Sequence, residues 1–480
     1  MADFADGAVE TIPLWSLTED TLVEAGEGGA LAVLTRWGEF ELDGTPVLVR
    51  ESLRRMAFGP VRLRNVTTSP GSNGSGEHWP VADLAALRRA LDQLSGSVVR
   101  SLGLNDGKAP LLSVVPTGFA PGFILRELPP GRPVRLSRFA ALRPGDGGLR
   151  LESPCTRFRV LLSRPPAVRV ACALAEPVSV AEVAAGTGLA ETMVAEMVPY
   201  LVAAGVALVG DDQGRFAEDQ DPDLGRWSYH ELLFQVRSRT RLDDRPAEPR
   251  RPDAAAPPLV KPVPAGRVFP LHRPDHAETS ASLTGLLEAG YECPAFSGHE
   301  IPVERIGELL FRSARIRSIG PAHLLAGPGD KASQRPYFNT AGLYELEIYF
   351  SANLCPELPK GIYYYDPLGH ALVLVNEDRD ELGAMLDMAM VAGAGHQRPA
   401  ALITVTTRME RSHWVLGGAA YAAAMMHFGA LQQTLSLVSA TMGLAAHAVP
   451  VDAGDRVDRA LKLSWPGEAA VGECVLDRIP

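Results

Sequence analysis

The stretch ASQRPYFNTAGLYELEIYF, Ala332 to Phe350, joins a polar, turn-forming loop to a run of bulky residues, and that junction decides the fold class. Arg335, Asn339, Thr340 and Gly342 belong to the loop. YELEIYFSANL, Tyr344 to Leu354, is rich in aromatic residues and reads as a strand. Working outward, GIYYYDPLGHALVLV, Gly361 to Val375, reads as a hairpin turning at Asp366, Pro367, Leu368 and Gly369. Upstream, IPVERIGELLFRSARI, Ile301 to Ile316, is an amphipathic helix. Downstream come a helix from Asp380 to Ala392, the β-branched strand ALITVTT, a long apolar helix from Gly417 to Met442 and a short closing strand near CVLDRI. Helices alternating with strands around one sheet define an α+β layer architecture.

N-terminal to Arg215 the pattern is mixed. Leu84, Leu87, Leu91 and Leu94 recur at helical spacing, and the short runs LLSVV, PVRLSRF, LRLES and FRVLL look like strands. SVAEVAAGTGL, from Ser179, reads as a short helix ended by a glycine turn. Met193, Val194, Met197, Val198, Leu201 and Val202 form an apolar stripe, with Pro199 expected to kink that helix or mark its start. VALVGDDQGRF, from Val206, then reads as a two-stranded wing. The outline is a winged helix, which places a winged-helix-like region at 1–215 and a second domain at 216–480. Glu191 and Glu196 lie on the presumed recognition helix and no Lys or Arg precedes Arg215 in it, so DNA reading is disfavoured. Docking of a peptide, whose strand can add to the wing edge, is the preferred functional reading, and a purely structural helical module fits the region equally well. Thr68 to Glu77 and Asp243 to Pro274 read as linkers or loops.

The 480 residues carry 46 Lys+Arg against 57 Asp+Glu, a net charge of −11, which disfavours binding to nucleic acid or to an anionic membrane. The five cysteines, Cys155, Cys172, Cys293, Cys355 and Cys474, are odd in number and never form a CxxC pair, so no disulfide framework or zinc site is expected and a cytoplasmic setting fits. The acidic start MADFADGAVETIPLW lacks the pattern of a secretory signal. Tyr421 to Val449 is the most apolar window, but His427, Gln432, Gln433 and Ser436 interrupt it, so a buried core helix is expected rather than a membrane span.

GxGxxG opening a helix after a strand, the Walker loop, HExxH and GxSxG are all missing, which sets aside the standard dinucleotide, P-loop, zincin and serine-hydrolase readings. Three clusters remain. WSYHELLFQVRSRT brings together Arg237, Ser238 and Arg239, two guanidiniums and a hydroxyl suited to an anion, or else a plain surface RSR. Arg335, Asn339 and Thr340 offer small polar groups to a planar heteroaromatic ligand, or else form only a loop. The helix after Arg408, rich in Ala, Gly and Met, admits close approach by a ring or a second helix, or is ordinary core or dimer packing.

Taken together, W-x-x-H-x-x-L-F-x-x-R-S-R, ELLFRSARIR, R-P-Y-x-x-x-x-G-L-Y-E-L-E-I-Y, G-I-Y-Y-Y-D-P and the late helix ending in M-G-L resemble the SagB-type branch of the nitroreductase-like flavoenzymes, over roughly Leu224 to Pro480. The resemblance implies FMN at the interface of a homodimer, in a nitroreductase-like fold with a central sheet covered by helices. It also implies oxidation of thiazolines or oxazolines to thiazoles or oxazoles in a ribosomally made precursor peptide, with cyclodehydratase or dehydratase partners. By carry-over, Arg237, Ser238 and Arg239 would hold the flavin phosphate and pyrimidine side, Asn339 would lie near the isoalloxazine, and Gly443 with Leu444 would form the late flavin-contacting turn. Where azoline-oxidising relatives carry a Lys-Tyr pair, this chain has Val415 and Leu416, and the family's Pro-Ser in the flavin loop is Phe338-Asn339. Azoline oxidation removes a ring proton as hydride passes to the flavin, so a positioned base matters. His413, Tyr337 and Tyr421 are the candidates, and His413 has the best ordinary pKa for that task. The missing pair also leaves open a non-catalytic scaffold subunit, or an FMN enzyme performing a different peptide oxidation.

Overall fold

The computed structural model describes residues 10–25, 30–63, 80–118, 122–239, 257–274, 282–288, 298–321, 331–450 and 455–478. It divides into two units, Met1–Val236 and Arg237–Pro480.

In the first unit the strands are β1 (Thr11–Leu17), β2 (Leu22–Ala25), β3 (Leu31–Thr35), β4 (Gly38–Leu42), β5 (Val98–Leu104), β6 (Leu112–Pro116), β7 (Val134–Leu136), β8 (Ala141–Gly145), β9 (Gly148–Glu152), β10 (Phe158–Leu162) and β11 (Ala207–Val209). Six of them form an antiparallel sheet in the order β1-β5-β6-β10-β9-β8, and β2-β3-β4 form a second sheet. Helices Val47–Phe58 and Val81–Gln93 bury Leu48, Leu53, Met56, Leu87 and Leu91 against Leu17, Leu31 and Val33. That packing explains the leucine spacing read from Leu84 onward.

The helical module is present, with helices Pro165–Ala173, Val180–Thr187 and Glu191–Ala203. Ser179 and Glu182 make a reciprocal capping box at the start of the second, and Gly188 ends it in the left-handed region at φ 66°. Pro199 lies inside the third helix rather than at its start. The wing differs from expectation. Val206–Phe216 contributes one strand, β11, whose partner is the distant β7; Asp211–Arg215 is a turn closed by Asp211 Oδ1 accepting from the Gln213 and Arg215 amides. The boundary shifts too. Glu218 accepts from Arg135 Nη2 at 2.8 Å, Ser137 Oγ at 2.7 Å and the Arg138 amide at 2.9 Å, so residues after 215 pack with the first unit.

The second unit adds β12 (Val268–Pro270), β13 (Ser318–Pro321), β14 (Lys331–Gln334), β15 (Leu346–Ala352), β16 (Gly361–Asp366), β17 (Ala371–Asn376), β18 (Ala401–Arg408), β19 (Leu444–Val449) and β20 (Glu468–Arg478). Seven of these pair antiparallel in the order β12-β17-β16-β15-β18-β20-β19, so the expected α+β class holds. Strand side chains alternate between faces. Leu346, Ile348 and Phe350 of β15 pack with Ile306, Leu309 and Leu310 of helix Val303–Ala314 and with Leu431 and Leu435 of helix Ala420–Ala440. Tyr349 of β15 faces the other way, toward helices Arg379–Ala392 and Asp455–Leu461. The hairpin turns where expected, with Asp366 Oδ1 accepting from the Leu368 and Gly369 amides at 3.0 Å.

Three readings change here. The closing strand, β20, is long rather than short, and Gly472 within it makes room for the long helix: a Cβ there would lie 2.2 Å from the Phe428 ring. Part of the second expected linker is built into the unit, because β12 pairs with β17 and Arg408 and Arg411 donate to the carbonyls of Pro258 and Pro257; the stretch 243–256, like the first linker, lies outside the described residues. Among the described residues Met409–Ala440 is long and apolar enough to cross a membrane. It is broken by a turn of 3-10 helix at Gly417–Ala419, and its second part buries only one stripe, Ala420, Ala423, Ala424, His427, Leu431, Leu435 and Ser439, leaving Tyr421 and Met426 exposed.

Candidate functional site

The loop between β14 and β15 is held by side chains that reach back onto its own backbone. Arg335, 5% exposed, donates from Nη1 to the Leu346 carbonyl at 3.2 Å and from Nη2 to the Tyr344 carbonyl at 3.4 Å, and the Tyr344 hydroxyl donates to the carbonyls of Arg335 and Tyr337. A 3-10 turn, Thr340–Gly342, follows Asn339. Gly342 at φ 66° and Tyr344 at φ 43° are both in the left-handed region. For a tyrosine that conformation costs on the order of 1–3 kcal/mol and persists only where the surroundings over-determine it. Here they do.

The same turn is bound to the long helix. His427 Nδ1 lies 2.6 Å from Glu345 Oε1, and both residues are fully buried. His427 Nε2 accepts from the Thr340 amide at 2.9 Å, with the Thr340 hydroxyl at 3.0 Å. Asn339 donates from Nδ2 to Glu345 Oε2 at 3.0 Å and accepts at Oδ1 from the Tyr344 amide at 2.9 Å. Burial works to raise the Glu345 pKa, but the hydrogen bonds from His427 and the Asn339 amide outweigh it and hold the carboxyl below its ordinary value. Two residues on, Glu347 behaves oppositely. Burial pushes it up despite Arg335, Arg408 and Lys261, with Arg408 Nε at 2.9 Å and the Tyr364 hydroxyl donating at 2.9 Å.

Beside this loop is a cavity of about 470 Å³ lined by Arg317, Ser333, Arg335, Asn339, Gly342 and Tyr344 among others, within the range of small-molecule and cofactor sites. Ser333 Oγ and Arg335 Nε are buried and without a hydrogen-bond partner among the described residues. Donors left over at a cavity wall suit a ligand with phosphate or carbonyl oxygens, so the residues present are compatible with FMN.

Of the residues singled out in the sequence, Arg335, Tyr337, Asn339 and Thr340 share this loop. Tyr337 is 3% exposed and its phenol is pushed well above its ordinary pKa, chiefly by burial, which makes it a poor proton acceptor as the free hydroxyl. The Asn339 side chain is engaged within the protein at both ends. His413 is exposed on helix Met409–Leu416 and Tyr421 is 41% exposed at the start of the next helix. Gly443, at φ 65°, turns the chain into β19, and Leu444 is a core residue packed in the cluster that holds Tyr337 and Tyr344. Arg237, Ser238 and Arg239 end the helix Tyr229–Arg239, and their side chains lie outside the described residues. Glu345 and His427 were not singled out. The usable signal was a histidine on the buried stripe of an apolar helix, which needs a polar partner.

The fold and the loop define an α+β protein with a polar, internally hydrogen-bonded loop at a cofactor-sized cavity. Residues 134–244 match the family model described as the cyanobactin oxidase ThcOx, and the first part of the stretch that resembles SagB-type, nitroreductase-like proteins, 224–244, lies within the match. The match runs from β7 through β10 and the helical module to the helix Tyr229–Arg239. Comparison with curated proteins finds no match. Among solved structures the chain is similar to a putative nitroreductase from Anabaena variabilis (21% identity, 46% of this chain and 40% of that one, TM-score 0.35). It is also similar to a putative nitroreductase from Ralstonia eutropha (19% identity, 47% and 96%, TM-score 0.36). A third is the E. coli microcin synthetase McbBCD complex with truncated pro-MccB17 bound (18% identity, 43% and 77%, TM-score 0.33). The chain thus spans 40% of the length of the first of these.

Proposed function

We propose that the chain is an FMN-dependent dehydrogenase that oxidises thiazoline or oxazoline rings of a ribosomally made precursor peptide to thiazoles or oxazoles. The observation that carries this reading is the match of residues 134–244 to the cyanobactin oxidase ThcOx. When bound, FMN supplies the hydride acceptor. On this reading Arg237, Ser238 and Arg239 hold its phosphate and pyrimidine side, Arg335 and Ser333 supply donors at the cavity, and the Asn339–Tyr344 turn sets the wall against which the ring system lies. The exposed part of helix Ala420–Ala440 seats a second copy of the chain, the homodimer the resemblance implies. The first unit docks the precursor peptide or a cyclodehydratase or dehydratase partner, in the cytoplasm.

The proton-acceptor role falls to His413 or Tyr421, because both are solvent-accessible while Tyr337 is buried. Incubation with azoline-containing peptide tests the reading. The expected result is bleaching of the flavin band, its return with O₂, and loss of two hydrogens per ring by mass spectrometry; an unchanged peptide mass with FMN bound contradicts it. Val415 and Leu416, neither able to take a proton, favour a second reading in which the chain is a scaffold subunit of the peptide-modifying complex. That reading expects the Arg237→Ala, Ser238→Ala double variant to support the partner enzyme as well as the parent does.

A further inference from the structure

We infer that His427 and Glu345 are positioning residues, a buried imidazole–carboxylate pair whose task is to hold the Asn339–Tyr344 turn, and with it the cavity wall, in one conformation. The inference rests on the proposed flavin reading only for the identity of the ligand. Its basis is a closed circuit of hydrogen bonds. The Thr340 amide donates to His427 Nε2, Nδ1 donates to Glu345 Oε1, Glu345 Oε2 accepts from Asn339, and Asn339 accepts from the Tyr344 amide. The start of the turn, Asn339 and Thr340, is therefore tied directly to the two buried side chains, and its Tyr344 end is tied to them through Asn339.

The circuit also decides what His427 does not do. Because Nε2 must accept from a backbone N–H, the proton sits on Nδ1 and faces Glu345, so neither nitrogen is left for a substrate. His427 is not the missing base. Nor is it simple core filling. Taking an imidazole and a carboxylate out of water is costly, and an apolar residue of similar volume packs as well where filling is all that is needed. What an apolar residue cannot do is accept the Thr340 amide, and without that bond the left-handed Tyr344 loses part of what holds it.

The test uses the full-length chain with three variants, His427→Leu, His427→Gln and Asn339→Ala, and two readouts: hydrogen–deuterium exchange of peptides spanning 338–346, and FMN affinity by fluorescence titration. His427→Leu is expected to raise exchange in that segment and weaken FMN binding by about tenfold, the consequence of one unsatisfied buried donor. His427→Gln can donate to Glu345 and accept from Thr340, and is expected to return both readouts to within about threefold of the parent. Asn339 is only half-buried, so Asn339→Ala carries the test if His427→Leu does not fold; it is expected to speed exchange at the Tyr344 end. Parental exchange in folded His427→Leu or Asn339→Ala overturns the inference whatever happens with flavin. A parent chain that takes up no FMN overturns the flavin reading instead, and leaves the exchange measurement to decide the role of the pair.

Discussion

On one face of the seven-stranded sheet β15 presents Leu346, Ile348 and Phe350 to two helices, while on the other it presents Glu347 to Arg408 and Tyr349 to Lys261, whose Nζ also lies 2.5 Å from Glu468 Oε2. The first face is held by burial of apolar area, which is indifferent to direction. The second buries apolar area too, with Ile362, Leu402 and Val475 packed among Leu382, Met385 and Leu386, but it sets paired charges and hydroxyls into that core, and some of their atoms go unpaired: Glu473 Oε1 and Thr404 Oγ1 are buried without a partner among the described residues. Apolar burial thus stabilises both faces, while sensitivity to pH comes from the second. The candidate site grows from the residue just before β15, Glu345, which is neither apolar core nor sheet-face network but a clamp between loop and helix.

The largest effect that separates the faces is expected from Phe350→Ala, fully buried on the apolar side, with a loss of about 3–5 kcal/mol in urea unfolding at any pH near neutrality. A loss below about 1 kcal/mol would mean that Phe350 is not packed in the apolar cluster of this face. Next comes Glu473, pushed by burial from 4.5 up to about 7. Between those values the folded chain keeps a proton that the unfolded chain has released, so the parent loses stability as pH rises through that window. Glu473→Gln removes the titration and is expected to be more stable than the parent at pH 8 by on the order of 2–3 kcal/mol, and no more stable at pH 4; equal pH profiles contradict this. Gly472→Ala forces the Phe428 ring to shift, and a cost of about 1–3 kcal/mol is expected by thermal denaturation. The smallest effect belongs to the surface: Asp387→Ala breaks the exposed pair with Arg398 and is expected to change stability by less than about 1 kcal/mol, and less still at high salt.

The second unit was legible in the sequence where the information is local. The period-2 face of β15, the Asp366–Gly369 turn and the amphipathic helix Val303–Ala314 each lie within a dozen or so residues of chain. The first unit was less legible because its pairings are distant. β1 lies beside β5, and β11 finds its partner in β7 across the whole helical module, so VALVGDDQGRF looked like a hairpin of its own. The site divides the same way. Arg335, Tyr337, Asn339 and Thr340 announced themselves as one polar loop, but Glu345 and His427 are 82 residues apart and meet only through the fold. Gly472 likewise has no meaning until Phe428 lies over it.

The central claim is that this chain holds FMN, and the most direct measurement is titration of the purified protein with FMN followed by its visible spectrum. Saturable uptake of one flavin per chain is expected, with an oxidised band near about 450 nm that perturbs on binding and uptake that is weakened by Arg237→Ala and Ser238→Ala. A protein that stays colourless after loading and dialysis would contradict it and move the scaffold reading to the front.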